Sequence, residues 1–286
     1  MTPFDLAEPR SLQEAIALLD RDDPAVRPIA GGTALMLMMK AGLFRPQRLV
    51  SLRRIEPRHA AIAAEGGALR IGAMATFAAL ERSAAVRAHA PAIVRTMRTL
   101  ANVRVRNVAT VGGNLAHADP HLDLPPVWIA LGAAVAITGR NGQRTLPVED
   151  LFTGYYETVL RHDEIITEVT VPSQAGRRTA YLKCTARSAD DWPALGVAVS
   201  LAVADGRIAD ARVAIGAATP KPTRLAKAEA ALRGAAPDDT AFARAGEAAA
   251  AEADIAGDSR GSAPYKRELL RVYLARAAQA ALEGAN

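Results

Sequence analysis

The spacing of apolar and polar residues changes period several times along the 286-residue chain. SLQEAIALL opens on Ser11 with Glu14 three residues later, the spacing of a capping box, and predicts a helix from about Leu12 to Asp20. VRPIA reads as a short strand, GGT as a tight turn, and ALMLMMKAG as a buried helix ending near Gly42. RLVSL reads as another strand. GALRIGAMAT is strand-like behind Gly66 and Gly67, and helices follow over FAALERSAAV and from Ala88 to Leu100.

The run TVGGNLAHADPHLDLP, Thr110 to Pro125, breaks the apolar pattern and reads as a loop. LPPVWIALGAA then resumes as a helix whose prolines sit near its start, where a missing N–H is tolerated. AVAIT ahead of Asn141-Gly142 looks like one arm of a hairpin, and EIITEVTVP is an alternating strand closed by Pro172. PALGVAVSLAVA and RIADARVAIGAA flank Asp205-Gly206, a strong hairpin signal. Three helical stretches complete the chain, at about Leu225–Arg233, Thr240–Ala253 and Ala263–Leu282. The texture changes near SQAGRR, which places a domain boundary near residue 175.

Composition narrows the function classes. Hydrophobic residues make up 50% and charged residues 23%, an ordinary globular balance. The apolar runs are too short to span a bilayer, and the acidic N-terminus lacks the pattern of a secretory signal, so a cytoplasmic protein is expected. A single cysteine, Cys184, excludes an internal disulfide or an iron–sulfur cluster held by this chain alone; its strand setting suggests an inert, buried thiol. The net charge of +5 suits an anionic ligand or an acidic partner. Dispersed basic residues and 4% aromatics argue against a nucleic-acid surface.

Two glycine pairs carry the candidate chemistry. Gly31-Gly32 lies between a strand and a helix, and Gly112-Gly113 lies in TVGGNL. Glycine lets a ligand approach the backbone, and converging amides beside a helix N-terminus hold anions. Thr33, Thr110 and Asn114 can add hydrogen bonds to phosphate oxygens. Neither turn fits the usual nucleotide fingerprints, so a diphosphate held between two separate loops is the natural expectation. On its position alone, Asp123 reads as the cap of the following helix; His117 and His121 read as polar loop residues or ligand donors. In YLKCTARSADDWP, Lys183, Asp190, Asp191 and Trp192 crowd into a second polar island. No Ser-His-Asp set is visible.

Taken together and in order, AGGTAL, NVRVRNVATVGGNLAHADPHLDLPP and YLKCTARSADDWPALGVAV resemble the FAD-binding subunit of the molybdenum hydroxylases, the family of carbon monoxide dehydrogenase medium chains and xanthine dehydrogenase flavin subunits. LRIGAMATFAAL resembles a strand–helix segment of the same family. The resemblance implies an α+β fold. A two-part FAD-binding domain of the vanillyl-alcohol-oxidase (PCMH) type would cover 1–175, with subdomains of about 1–57 and 58–175. A C-terminal domain of a three-stranded antiparallel sheet plus helices would cover 176–286.

The same resemblance implies that FAD lies extended between the two front subdomains. Ile29, Ala30, Gly31, Gly32, Thr33, Ala34 and Leu35 would hold its diphosphate from one side, and Thr110, Gly112, Gly113 and Asn114 from the other. His117 and Asp123 would contact FAD, which lifts Asp123 above a mere cap. Leu100 and Ala109 would line the site, and Ile166 and Lys183 would approach it from later strands. Asp190, Asp191 and Trp192 would pass near the flavin ring, and Lys183 would stabilise the reduced flavin by charge. A molybdopterin-type molybdenum cofactor would sit on a large partner subunit and 2Fe-2S clusters on a small one, in a dimer of heterotrimers. The single cysteine departs from the 4-hydroxybenzoyl-CoA reductase branch, whose flavin subunit carries extra cysteines for a 4Fe-4S cluster. The implied role is electron transfer through FAD to an external acceptor. The alternatives are a free-standing FAD oxidoreductase and a scaffold that has lost its cofactor.

Overall fold

The computed structural model describes residues 2–284. Among the described residues three larger sheets follow one another along the chain, beside a two-stranded hairpin of Phe152–Gly154 and Glu157–Thr158. The first is parallel, with Arg48–Ser51 between Asp5–Ala7 and Val26–Ile29. The second is antiparallel, in the order Ile62–Glu65, Ala68–Gly72, Ile165–Val171, Ala134–Gly139, Gly142–Pro147. The third runs Arg177–Cys184, Leu195–Ala204, Arg207–Gly216 and ends in a two-residue strand, Thr223–Arg224. That short edge adds a fourth strand to the three long ones expected.

Both hairpin signals hold. Gly139 pairs with Gly142 across Asn141, and Ala204 with Arg207 across Asp205-Gly206. Gly66 and Gly67 make a further hairpin turn, both at positive φ (58° and 78°), the backbone that a two-residue turn requires. The strand Leu195–Ala204 shows why the two halves form one body. Val197, Val199 and Leu201 enter the core beneath the C-terminal helices, whereas Ala198 and Ala214 join the core of the front half. Alternation puts successive side chains on opposite faces, so this sheet serves both cores.

Several helix expectations change. Thr110–Pro125 is not all loop, because Val111–His117 is helical. Thr110 caps it by accepting the Gly113 amide at 3.2 Å, and left-handed Ala118 ends it. Gly112 tolerates the helix because it packs on Ala73, where a Cβ would lie 2.7 Å from the Ala73 Cβ. FAALERSAAV splits into two helices at Ser83, which caps the second by accepting the Val86 amide. The helix expected from Ala88 begins only at Pro91, preceded by Ala90 at φ −143°, since proline keeps its predecessor out of the helical region. The Thr33–Lys40 helix is not buried. Only Met39 is enclosed and Leu37 is 65% exposed, because one side of this helix faces a cleft. Ser11 caps its helix as expected, but Glu14 accepts the amide of Arg10 rather than that of Ser11. Cys184 is half-buried rather than buried. Among the described residues no helix is long and apolar enough to cross a membrane.

Candidate functional site

The cleft encloses about 710 Å³, within the usual range for small-molecule and cofactor sites. The two glycine turns, 81 residues apart in sequence (31 to 112), meet in its lining. Gly31 makes that possible: a Cβ there would lie 2.1 Å from the Val108 carbonyl oxygen. The glycine is needed for one loop to seat on the other, just before Thr110. Across the same junction, Gly113 faces Ala30.

The turns are not equivalent. Gly32 has left-handed φ of 72° at the start of the Thr33–Lys40 helix, and no side chain caps that end. Among the described residues, the amides of Gly31, Gly32, Thr33, Ala34 and Leu35 have no acceptor; the next amide, Met36, donates to the Gly32 carbonyl. Such a row of free N–H groups at a helix N-terminus attracts an anion. At the second turn the amides are spent. Val111 donates to the Ala75 carbonyl, Gly112 to that of Ala73, Gly113 to Thr110 Oγ1 and Asn114 to the Thr110 carbonyl. The matched pair of backbone cradles expected from sequence is therefore corrected. The second turn offers side chains instead, the Thr110 hydroxyl and the Asn114 amide, whose Oδ1 is buried without a partner.

Arg27 lines the same cleft as the free amides, and sequence reasoning missed it. Its guanidinium lies 5.7 Å from the Phe44 ring centroid, and it has no carboxylate within ion-pair distance among the described residues. Burial pulls its pKa down, the expected behaviour of a cation lacking a counter-charge. Nothing in VRPIA marks this arginine among so many others.

Of the sequence candidates, Ile29, Ala30, Gly31, Gly32, Thr33, Ala34 and Leu35 line the cleft, as do Leu100, Ala109, Thr110, Gly112, Gly113, Asn114, His117, Asp123, Ile166, Asp190 and Trp192. Lys183 and Asp191 do not. Lys183 lies behind Asp123, with its Nζ 3.2 Å from Asp123 Oδ2 and donating to the Asp191 carbonyl at 2.9 Å. Asp123 stands at the start of the Leu124–Leu131 helix, yet its side chain makes no capping bond. It accepts instead from the Tyr181 hydroxyl at 2.7 Å and from Lys183. Burial pushes the Asp123 carboxyl up against the pull of the Lys183 ammonium. Hydrogen bonding of this carboxylate by the chain itself leaves Lys183 an indirect neighbour of the cleft.

A polar cluster occupies another stretch of wall. Asp119, fully buried, accepts from Tyr156 Oη at 2.7 Å and from the His121 amide at 2.9 Å, with His121 Nδ1 also at 2.9 Å. Burial alone would raise the Asp119 carboxyl, but these bonds hold it below the usual carboxylate range. His117, whose pKa burial lowers, meets the Tyr156 ring edge-on at 5.1 Å. Tyr156 was also missed, although an adjacent tyrosine pair in an aromatic-poor chain was a usable signal.

The family model for the FAD binding domain in molybdopterin dehydrogenase matches residues 2–174, and that for the CO dehydrogenase flavoprotein C-terminal domain matches residues 180–281. The chain belongs to this family of FAD-binding molybdenum hydroxylase subunits. It is 36% identical over 270 residues to the nicotine 6-hydroxylase medium subunit of Paenarthrobacter nicotinovorans, covering 94% of each. It is 34% identical over 279 residues to the carbon monoxide dehydrogenase medium chain of Hydrogenophaga pseudoflava, covering 97% of this chain and 96% of that one. The solved structure of the Hydrogenophaga pseudoflava enzyme lacking the Mo-pyranopterin moiety superposes with a TM-score of 0.95 at 36% identity, covering 100% of both chains. The chain is thus an FAD-binding oxidoreductase subunit with an electron-transfer role.

Proposed function

We propose that FAD lies along this cleft with its diphosphate on the Gly31–Leu35 amides, and that Arg27, Thr110 and Asn114 complete its hold. The row of free amides, in one cleft with a cation that has no carboxylate partner among the described residues, carries this reading. Asn114 Oδ1 would accept a hydrogen bond from the ligand, which gives this orphaned atom a partner. Ile29, Ala30, Leu100, Ala109 and Ile166 exclude water from the apolar parts, while His117, Asp123, Asp190 and Trp192 meet the polar edges. Bound FAD supplies the redox chemistry, accepting and releasing electrons one or two at a time; the chain orients it and sets its surroundings. Lys183 acts on the cleft indirectly, through Asp123, whose charge it balances, and through the Asp191 carbonyl beside Trp192. On this reading 1–175 is the cofactor domain and 176–286 closes its far side.

Electrons would arrive from 2Fe-2S clusters on a small partner subunit, after substrate oxidation at a molybdenum cofactor on a large one. They would leave to an external acceptor. Assembly as a dimer of heterotrimers in the cytoplasm fits the family. The test is purification of the chain from its native host. A yellow complex holding stoichiometric FAD, a molybdenum subunit and a 2Fe-2S subunit is expected. A yellow chain alone that turns over a substrate would overturn the subunit reading, and a colourless one would overturn the cofactor reading.

A further inference from the structure

The HADPH turn at the cleft wall is tied to the C-terminal half by a closed ring of hydrogen bonds. His121 Nε2 lies 3.0 Å from Asp258 Oδ2. The same carboxylate oxygen is 2.9 Å from Lys266 Nζ, a fully buried ammonium that donates to the Ala217 carbonyl. The Ala217 amide donates to the Pro120 carbonyl at 2.7 Å, which closes the ring one residue before His121. Each ring nitrogen of His121 faces a carboxylate oxygen, of Asp119 or of Asp258.

This ring reaches two aromatic walls of the cleft. On one side Asp119 holds the Tyr156 hydroxyl. On the other, the His121 imidazole stacks on Trp192, with centroids 5.6 Å apart and planes 10° apart. Asp258 also fixes the second neighbour of Trp192. Its Oδ1 accepts the Arg260 amide at 2.8 Å, and the Arg260 guanidinium lies 5.2 Å from the Trp192 ring centroid. Ala118, Tyr156 and Ala217 have left-handed backbone, at φ 54°, 59° and 67°. Each is strained without glycine, and such strain persists only where the surroundings over-determine the fold. A ring serving the domain junction alone would not need to hold both cleft aromatics.

We propose that Asp258 is a positioning residue for the cofactor: through His121 and Arg260 it fixes Trp192, and through Asp119 it fixes Tyr156, setting the aromatic walls of the cleft from the C-terminal half. The proposal rests on the reading of the cleft as the FAD site. In the full chain, D258N leaves a neutral group that can no longer accept from all its donors. It weakens FAD binding by roughly 2- to 30-fold, the range for residues acting through an intervening network. It also changes the Trp192 emission, read as the parent spectrum minus that of W192F. In a W192A background, D258N then costs less FAD affinity than it does in the parent, and D258E restores part of the loss. Parental FAD affinity in D258N, an unchanged Trp192 emission, or an undiminished loss in the W192A background overturns the proposal. If D258N does not fold, W192A alone decides the last link. Trp192 is 47% exposed, so its removal spares the core; W192A binding FAD like the parent overturns the proposal. Parallel titration of R27Q separates the two readings. Weak binding by R27Q with parental binding by D258N and W192A refutes only the positioning role, whereas parental binding by all three refutes the cleft as the FAD site.

Discussion

Gly31→Ala is the sharpest test of how the two glycine turns make one site. The added Cβ would stand 2.1 Å from the Val108 carbonyl oxygen, 2.8 Å from its carbon and 2.9 Å from the Ala109 Cα. All three are backbone atoms, so no side chain can swing aside. Real Cβ contacts essentially never fall below 3.0 Å and ordinary ones begin at 3.4 Å, so the turns must part by 0.9 to 1.3 Å, the differences from 2.1 Å. An amide–oxygen hydrogen bond spans about 2.7 to 3.2 Å, and a shift of that size takes it out of range. Bonds to a charged group contribute roughly 1.5–3 kcal/mol each. Loss of two from the Gly31–Leu35 row therefore costs about 3–6 kcal/mol of FAD binding, or roughly 10²- to 10⁴-fold in Kd.

The assay is titration of the FAD-free chain by flavin fluorescence, with thermal unfolding in parallel. Overpacking itself costs about 1–3 kcal/mol of stability, a fall in Tm of several degrees for a chain of this size. The two readouts separate a misplaced cradle from a chain that has not folded. Gly31→Ala that folds and binds FAD within about threefold of the parent refutes the reasoning, because it would show that the junction at Val108 does not set the amide row.

Further outcomes follow from the same geometry. Arg27→Gln removes an unpaired half-buried cation and weakens FAD binding by about tenfold or more, with little change in apo stability, measured by the same titration. Lys183→Met leaves the Asp123 carboxylate buried without its counter-charge and lowers stability by about 3–5 kcal/mol in denaturant unfolding; a shift in flavin potential without loss of stability would instead place Lys183 at the cofactor. Burial would raise the Asp258 carboxyl, but hydrogen bonds from Lys266 and His121 pull it down from 3.8 to about 2. A depressed carboxylate contributes stability above its unfolded pKa and loses it as pH falls through the folded one. The Trp192 emission therefore holds from neutral pH to about 4 and changes between about 4 and 2; a change complete above pH 5 contradicts the assignment.

Local pattern made some of this legible and distance hid the rest. The strand–GGT–helix of the first turn shows in sequence because each part is local. One such glycine pair is weak evidence, because most are merely tight turns; the second pair is what raises a ligand above that reading. The second turn misleads for a physical reason. Two glycines among polar residues read as loop, and a glycine inside a helix costs about 1 kcal/mol relative to alanine. Close packing of Gly112 on Ala73 and capping by Thr110 offset that cost, and Ala73 is a tertiary neighbour with no local signature. Asp123 shows the same limit. Its place before LPPVW made a cap reasonable, but its partners Tyr181 and Lys183 lie 58 and 60 residues on. The His121–Asp258 contact spans 137 residues, beyond any local reading.

The asymmetry of the two turns has a consequence for tolerance to change. Backbone amides donate whatever side chain they carry, so Thr33, Ala34 and Leu35 can vary in identity while their helix N-terminus keeps its donors. Gly31 and Gly32 cannot vary so freely, one through the Val108 contact and the other through its left-handed φ. At the second turn the amides are committed within the chain, so recognition there falls on Thr110 and Asn114 as side chains. Thr110 does two things at once, accepting the Gly113 amide while its hydroxyl proton remains free for a ligand. Thr110→Ser keeps both functions and Thr110→Val keeps only the shape. The valine variant thus loses about 1 kcal/mol of helix capping and FAD affinity together, whereas the serine variant keeps both. Unfolding and FAD titration of that pair separate the two loops' contributions, and equal FAD binding by Thr110→Val would leave the first turn alone as the anion cradle.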